Sequence, residues 1–108
     1  MAETKVYVVA RDGEFFVFPP AIVLTDDDVL KIMNMTKEDL AFVVPTNDPF
    51  GTDVCDVVKK KGSNQPHGGR QVAKGQKQKP DVYTYQITML QSGKKAKGNS
   101  DPMIIIDG

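Results

Sequence analysis

Clusters of Gly, Pro, Asp and Asn cut this chain into apolar runs of about four to nine residues, a length that suits strands far better than helices. Val82–Leu90 is the clearest run. Tyr83, Tyr85, Ile87 and Met89 alternate there with Thr84, Gln86 and Thr88, so one face is apolar and both tyrosines are expected to point inward. Thr4–Ala10, Phe15–Phe18, Ile22–Leu24, Leu40–Pro45 and Val54–Val58 read as further strands, being rich in residues that fit a pleated surface. Met103–Ile106 is wholly apolar and predicts a central strand covered on both faces. Asp12-Gly13 supplies a hairpin turn, because Gly accepts the positive φ such turns demand. Pro19-Pro20 ends the return strand, since neither residue donates to a ladder.

Thr25–Met35 admits two readings. Thr25 with Asp28 would cap a helix carrying Val29, Leu30, Ile32 and Met33 at helical spacing. Alternatively Asp26-Asp27-Asp28 is a turn and Val29–Asn34 a strand. The strand is adopted because the segments on both sides are strands, and Met35–Asp39 then becomes a second turn. Seven to eight short strands joined by turns predict one all-β domain, a two-sheet Greek-key β-sandwich.

At 108 residues the chain has the size of a single domain. One cysteine, Cys55, allows no internal disulfide, and the first residues lack the basic and apolar regions of a secretory signal, so a cytoplasmic setting is expected. Without a secretory route the Asn34-Met35-Thr36 sequon carries no meaning. The net charge of zero hides an uneven distribution. Residues 1–57 hold eleven acids against four bases, whereas residues 58–108 hold ten bases against three acids.

Residues 59–80 contain seven of those cations, no acid and almost no apolar side chain, which predicts one flexible basic loop. Lys59, Lys60, Lys61, Arg70, Lys74, Lys77 and Lys79, joined by Lys94, Lys95 and Lys97 of the 93–98 connection, are the candidate contacts for an anion or a protein partner. Polybasic connections attract nucleic acid and other polyanions through counterion release. Single-strand binders also need aromatic platforms, and residues 59–80 contain none.

Phe18–Leu24 followed by Asp27–Thr36 resembles the amino-terminal signature of cupredoxin-like sandwiches: a strand, an acidic turn and a second strand ending in Asn. Tyr83–Ile87 and Gly98–Ile106 resemble their last two strands, so that the likeness covers about half the chain. It implies a cupredoxin-like or, more broadly, immunoglobulin-like sandwich. A mononuclear copper site would need two His, a Cys thiolate and a weak axial ligand. The resemblance puts the first His near Asp39 or Leu40, the Cys at Ile87 and the second His just beyond. None of these is present, and the one His (His67) and Cys55 lie on other segments. The resemblance therefore implies the scaffold without its metal.

Other constellations have simpler readings. Cys55 lies among Val54, Val57 and Val58, and is expected to be a buried structural thiol rather than a nucleophile activated by His67. Gly93–Ser100 has the two-glycine spacing of a phosphate loop but carries Asn99 where Lys is needed, and it leads into a strand, not a helix. Asp26-Asp27-Asp28 lacks the alternating ligand spacing of a cation loop and reads as a solvated turn. No catalytic residue, cofactor site or metal site is therefore expected. The expected role is a non-enzymatic protein-binding or assembly module that meets a protein partner or a second copy of itself and no membrane, the alternative being nucleic-acid or polyanion binding through loops 59–80 and 93–98.

Overall fold

The computed structural model describes residues 3–25, 28–44, 50–51, 54–63, 67–71, 81–96 and 102–106. Among them there is no helix, and so none long and apolar enough to cross a membrane. The chain is all-β. The described residues form ten strands, β1 (Glu3–Arg11), β2 (Glu14–Phe18), β3 (Ala21–Leu24), β4 (Val29–Asn34), β5 (Leu40–Val44), β6 (Val54–Val58), β7 (His67–Gln71), β8 (Asp81–Thr84), β9 (Gln86–Met89) and β10 (Met103–Ile106).

They form three sheets, ordered β2-β1-β4-β7, β3-β10-β8 and β6-β5-β9. Arg11 pairs with Glu14 across a turn whose residues, Asp12 and Gly13, have φ of 53° and 78°. Positive φ at both positions matches the right-handed twist of the flanking strands, as the Asp-Gly pair predicts. The chain leaves the first sheet after Phe18 and adds β3 to the second. It then returns as β4, parallel to β1, with Val6 opposite Ile32. Val29–Asn34 is thus a strand; its strict alternation, with Leu30, Ile32 and Asn34 buried and Lys31 and Met33 half-buried, suits a sheet with one covered face.

Two differences from the sequence reading raise the strand count from the expected seven or eight to ten. Val82–Leu90 is divided at Tyr85, whose N–H bonds to the Pro102 carbonyl (3.0 Å) while β8 pairs with β10 and β9 with β5. The connection read as one loop over 59–80 contains β7, antiparallel to β4; residues 64–66 and 72–80 lie outside the described residues. Composition hid this strand because two of its five residues are glycines. They serve close approach: a Cβ on Gly68 would stand 2.8 Å from Val58 Cγ2, so only a glycine lets β7 lie this close to β6.

The inward side chains of all three sheets form one core, with Val6, Val8, Leu30 and Ile32 from the first, Leu24 and Ile104 from the second, and Leu40, Phe42, Ile87 and Met89 from the third. Tyr85 stands edge-to-face on Phe42 (centroids 5.4 Å apart), and Phe42 likewise on Phe50 (6.3 Å). Tyr85 is buried and Tyr83 packs against the same core, in line with their alternation. The middle strand of its sheet is β10, in which Ile104 is fully buried and Met103 and Ile105 are half-buried.

Candidate functional site

Four turns meet at one end of the molecule, and buried Asn34 holds their centre. Its side chain closes β4 as a two-sided clamp. Oδ1 accepts the Thr36 N–H (2.9 Å) and hydroxyl (2.7 Å), while Nδ2 donates to the carbonyls of Glu38 (2.8 Å) and Lys59 (3.1 Å), with Val58 at 3.4 Å. An Asn that accepts from its own turn and donates across to a distant strand fixes the 35–39 turn against the end of β6. At 1% exposure, Asn34 is framework and not a glycan acceptor.

The 35–39 turn is the hub of this end. Met35 N–H reaches Val8 of β1, Lys61 N–H reaches the Thr36 carbonyl, and Leu90 N–H reaches the Asp39 carbonyl. Its two carboxylates are spent inside this network. Glu38 Oε1 accepts the Ser92 N–H (2.7 Å), and Asp39 Oδ1 accepts the Lys60 N–H (2.9 Å) with Lys59 Nζ 3.7 Å from Oδ2. Lys94 Nζ donates to the Gly13 carbonyl (2.6 Å), which ties the 90–95 turn to the first hairpin. The Gly93–Lys95 stretch folds straight back on β9, with a bridge between Lys95 and Thr88.

The ammonium groups therefore rim this end. Lys37, Lys59, Lys60, Lys61, Lys94 and Lys95 are all exposed, and among the described residues Lys37, Lys60, Lys61 and Lys95 make no side-chain ion pair. Apolar surface lies between them, Met35 being 44% and Leu90 51% exposed. Shallow grooves run on both sides of the hub. One of about 270 Å³ is lined by Lys37, Asp39, Lys60 and Leu90; another of about 330 Å³ is lined by Ala10, Phe15, Met35 and Lys37.

The structure thus brings together Lys59, Lys60, Lys61, Lys94 and Lys95 of the cations singled out from sequence. Lys74, Lys77, Lys79 and Lys97 lie outside the described residues. Arg70 belongs elsewhere. On β7 its guanidinium grips the Asp56 carboxylate of β6 through two 2.7 Å bonds, and this hydrogen bonding, aided by the charge of Asp56, raises its pKa further. It is a clasp between strands, not a free cation. Sequence reasoning missed Lys37, Met35 and Leu90, which carry no signal until the 35–39 and 90–95 turns are seen to touch.

Cys55 corrects an expectation: it is exposed. Alternation along β6 turns Val54 and Val58 inward and Cys55 and Val57 outward, so apolar neighbours in sequence were a poor guide to its surroundings. Asp28 Oδ2 accepts the Thr25 N–H and hydroxyl at 3.0 and 3.1 Å and so closes a turn; Asp26 and Asp27 lie outside the described residues.

The residues do not fit a copper ion. Leu40 and Ile87, where the resemblance would put a His and the Cys, are fully buried aliphatic side chains, and Leu40 pairs with Met89. The Asp39 carboxylate is engaged by the Lys60 N–H. Among the described residues no three His, Cys, Asp or Glu side chains are grouped to hold a metal. No protein-family model matches the chain, and no curated protein matches it in sequence.

Proposed function

We propose that this chain is a non-enzymatic protein-binding or assembly module whose lysine-rimmed end docks an acidic protein segment. The observation that carries the reading is the division of labour at that end. Glu38 and Asp39 accept backbone N–H bonds, so their charges are held within the turns, whereas Lys37, Lys60, Lys61 and Lys95 extend into solvent around exposed Met35 and Leu90. A cationic rim around apolar surface suits a partner offering carboxylates beside apolar side chains, with charge guiding encounter and apolar contact holding the complex.

The scaffold of this reading is a metal-free, cupredoxin-like two-sheet sandwich. Its support is that Tyr85 alone separates β8 from β9, so the ladders β3-β10-β8 and β6-β5-β9 are joined through one nearly continuous stretch of chain, and that all three sheets contribute side chains to one core. A cytoplasmic setting belongs to the same reading.

The test is a fluorescence-anisotropy titration with a labelled peptide rich in Asp, Glu and Leu. Binding at low salt, weakened at least about tenfold by Lys37→Glu with Lys60→Glu, is the expected result. Tighter binding of single-stranded DNA, lost when Lys59, Lys60 and Lys61 become Ala, would favour the nucleic-acid reading instead. No binding of the peptide at low salt would refute the proposal.

A further inference from the structure

Of the six outer strands of the three sheets, the pair β6 and β7 and the pair β2 and β3 are managed in opposite ways. On one side β6 and β7 each turn a charged residue toward the other sheet, Asp56 and Arg70, and the two-fold hydrogen bond between them clasps that side. Inward-pointing charges of this kind discourage another strand from pairing. On the other side β2 and β3 carry only apolar inward residues, Phe15 and Val17 on β2 and Ile22 and Leu24 on β3. Among the described residues β2 pairs with β1 alone.

The hairpin register shows which groups this leaves open. Arg11 and Glu14 close the two-residue turn, so they, Val9 with Phe16, and Tyr7 with Phe18 are the hydrogen-bonded pairs of the ladder. The N–H and C=O groups of Phe15 and Val17 therefore point away from β1. Outward-facing Phe18 is 67% exposed, beside exposed Tyr7. At its start, β2 opens into the basic end. Phe15 lines both the groove with Met35 and Lys37 and a second groove of about 250 Å³ with Glu14, Lys94 and Lys95.

We infer that the partner binds as an added strand on the free edge of β2, through the backbone of Phe15 and Val17, with its acidic residues lying between Lys37 and the Lys94–Lys95 pair. This rests on the acidic-partner reading above and adds the mode of recognition: main-chain hydrogen bonds for affinity, and alternate apolar side chains packed beside Phe16 and Phe18. Charge complementarity selects an acidic segment over a neutral one, because the two grooves at the open end of the edge hold three lysines, Lys37, Lys94 and Lys95, against two carboxylates, Glu14 and Glu38, of which Glu38 accepts the Ser92 N–H.

The test compares two labelled peptides with the same aspartates at one end, one continuing as alternating Thr and Val, the other as Gly and Ser. The alternating peptide is expected to bind at least about tenfold more tightly, as a few additional hydrogen bonds would provide. Val17→Pro, which removes an outward N–H, and Phe18→Lys, placed at an exposed position, should each reduce its affinity to that of the Gly-Ser peptide. Amide exchange at Phe15 and Val17 should slow in its complex. Equal affinity of the two peptides with unchanged exchange at Phe15 and Val17 would overturn the edge-pairing inference while leaving the acidic-partner reading standing. Failure of both peptides would remove both. Concentration-dependent dimerisation abolished by Val17→Pro, without peptide binding, would assign the edge to a second copy and overturn the inference as well.

Discussion

Asn34→Asp isolates the role of a single amino group in building the basic end. The substitution preserves shape and keeps the oxygen that accepts from Thr36 at 2.9 and 2.7 Å. It replaces the Nδ2 donor by an oxygen aimed at the carbonyls of Glu38, Lys59 and Val58. A protonated carboxyl can donate to only one of them, so at least one good hydrogen bond is lost and a buried carbonyl is left unpaired, at about 1–3 kcal/mol. At higher pH the carboxyl must either ionise among carbonyl dipoles or hold its proton, and burial at 1% exposure disfavours the charge, so its pKa is raised in the folded state. A raised folded pKa makes a contribution that is fully present below the unfolded value near 4 and lost as pH climbs to the folded one; each tenfold tightening of the proton in the folded state is worth about 1.4 kcal/mol. A hundredfold tightening would thus bring the total loss to about 4–6 kcal/mol at pH 7. Asn34→Ala removes the Nδ2 bonds and also the two accepted from Thr36, with no titrating group, and its cost should be flat with pH. Urea denaturation of wild type and both variants at acidic and neutral pH measures this. If Asn34→Asp lies within about 1 kcal/mol of wild type at pH 7, or if its stability relative to Asn34→Ala does not fall between pH 4 and 7, the donor role assigned to Nδ2 is wrong.

Two further outcomes concern the core and the β6–β7 contact. Among the described residues the buried Tyr85 hydroxyl has no hydrogen-bond partner, so Tyr85→Phe should raise stability by about 1–2 kcal/mol at neutral pH. Because burial pushes the Tyr85 pKa above its ordinary value of 10.0, wild-type stability should also fall above about pH 10, and the variant should shed that part of the loss; a destabilised Tyr85→Phe would mean that the hydroxyl is satisfied. Gly68→Ala should cost about 1–3 kcal/mol through the 2.8 Å approach to Val58 Cγ2. The double variant with Val58→Ala should lose less than the two single variants summed, and strict additivity in denaturation would contradict the close contact.

Strand positions were legible wherever one face is covered, since Val29–Asn34 and Val82–Met89 alternate as a half-buried sheet requires. The Asp12-Gly13 turn was legible for a local reason, its positive φ values. What stayed hidden depends on pairing between distant segments. His67–Gln71 has too few side chains to signal a strand, and only its fit beside Val58 gives it a place. Arg70 looked like one of many cations because Asp56 is fourteen residues away in sequence. The basic end was half legible: the lysines could be counted, but not that Glu38 and Asp39 would be occupied by backbone N–H groups from Ser92 and Lys60.

The middle place of β10 in its ladder sets the order in which this molecule can assemble. Ala21–Leu24 emerges early during synthesis, yet its neighbour is Met103–Ile106, the last of the described strands. Until that segment arrives, β3 has no companion and β8 lacks its antiparallel mate. Closing so wide a gap in the chain is slow, because the entropy lost comes before any contact repays it. The nascent polypeptide therefore passes through an interval in which Ile22 and Leu24, buried in the finished molecule, stand unsheltered.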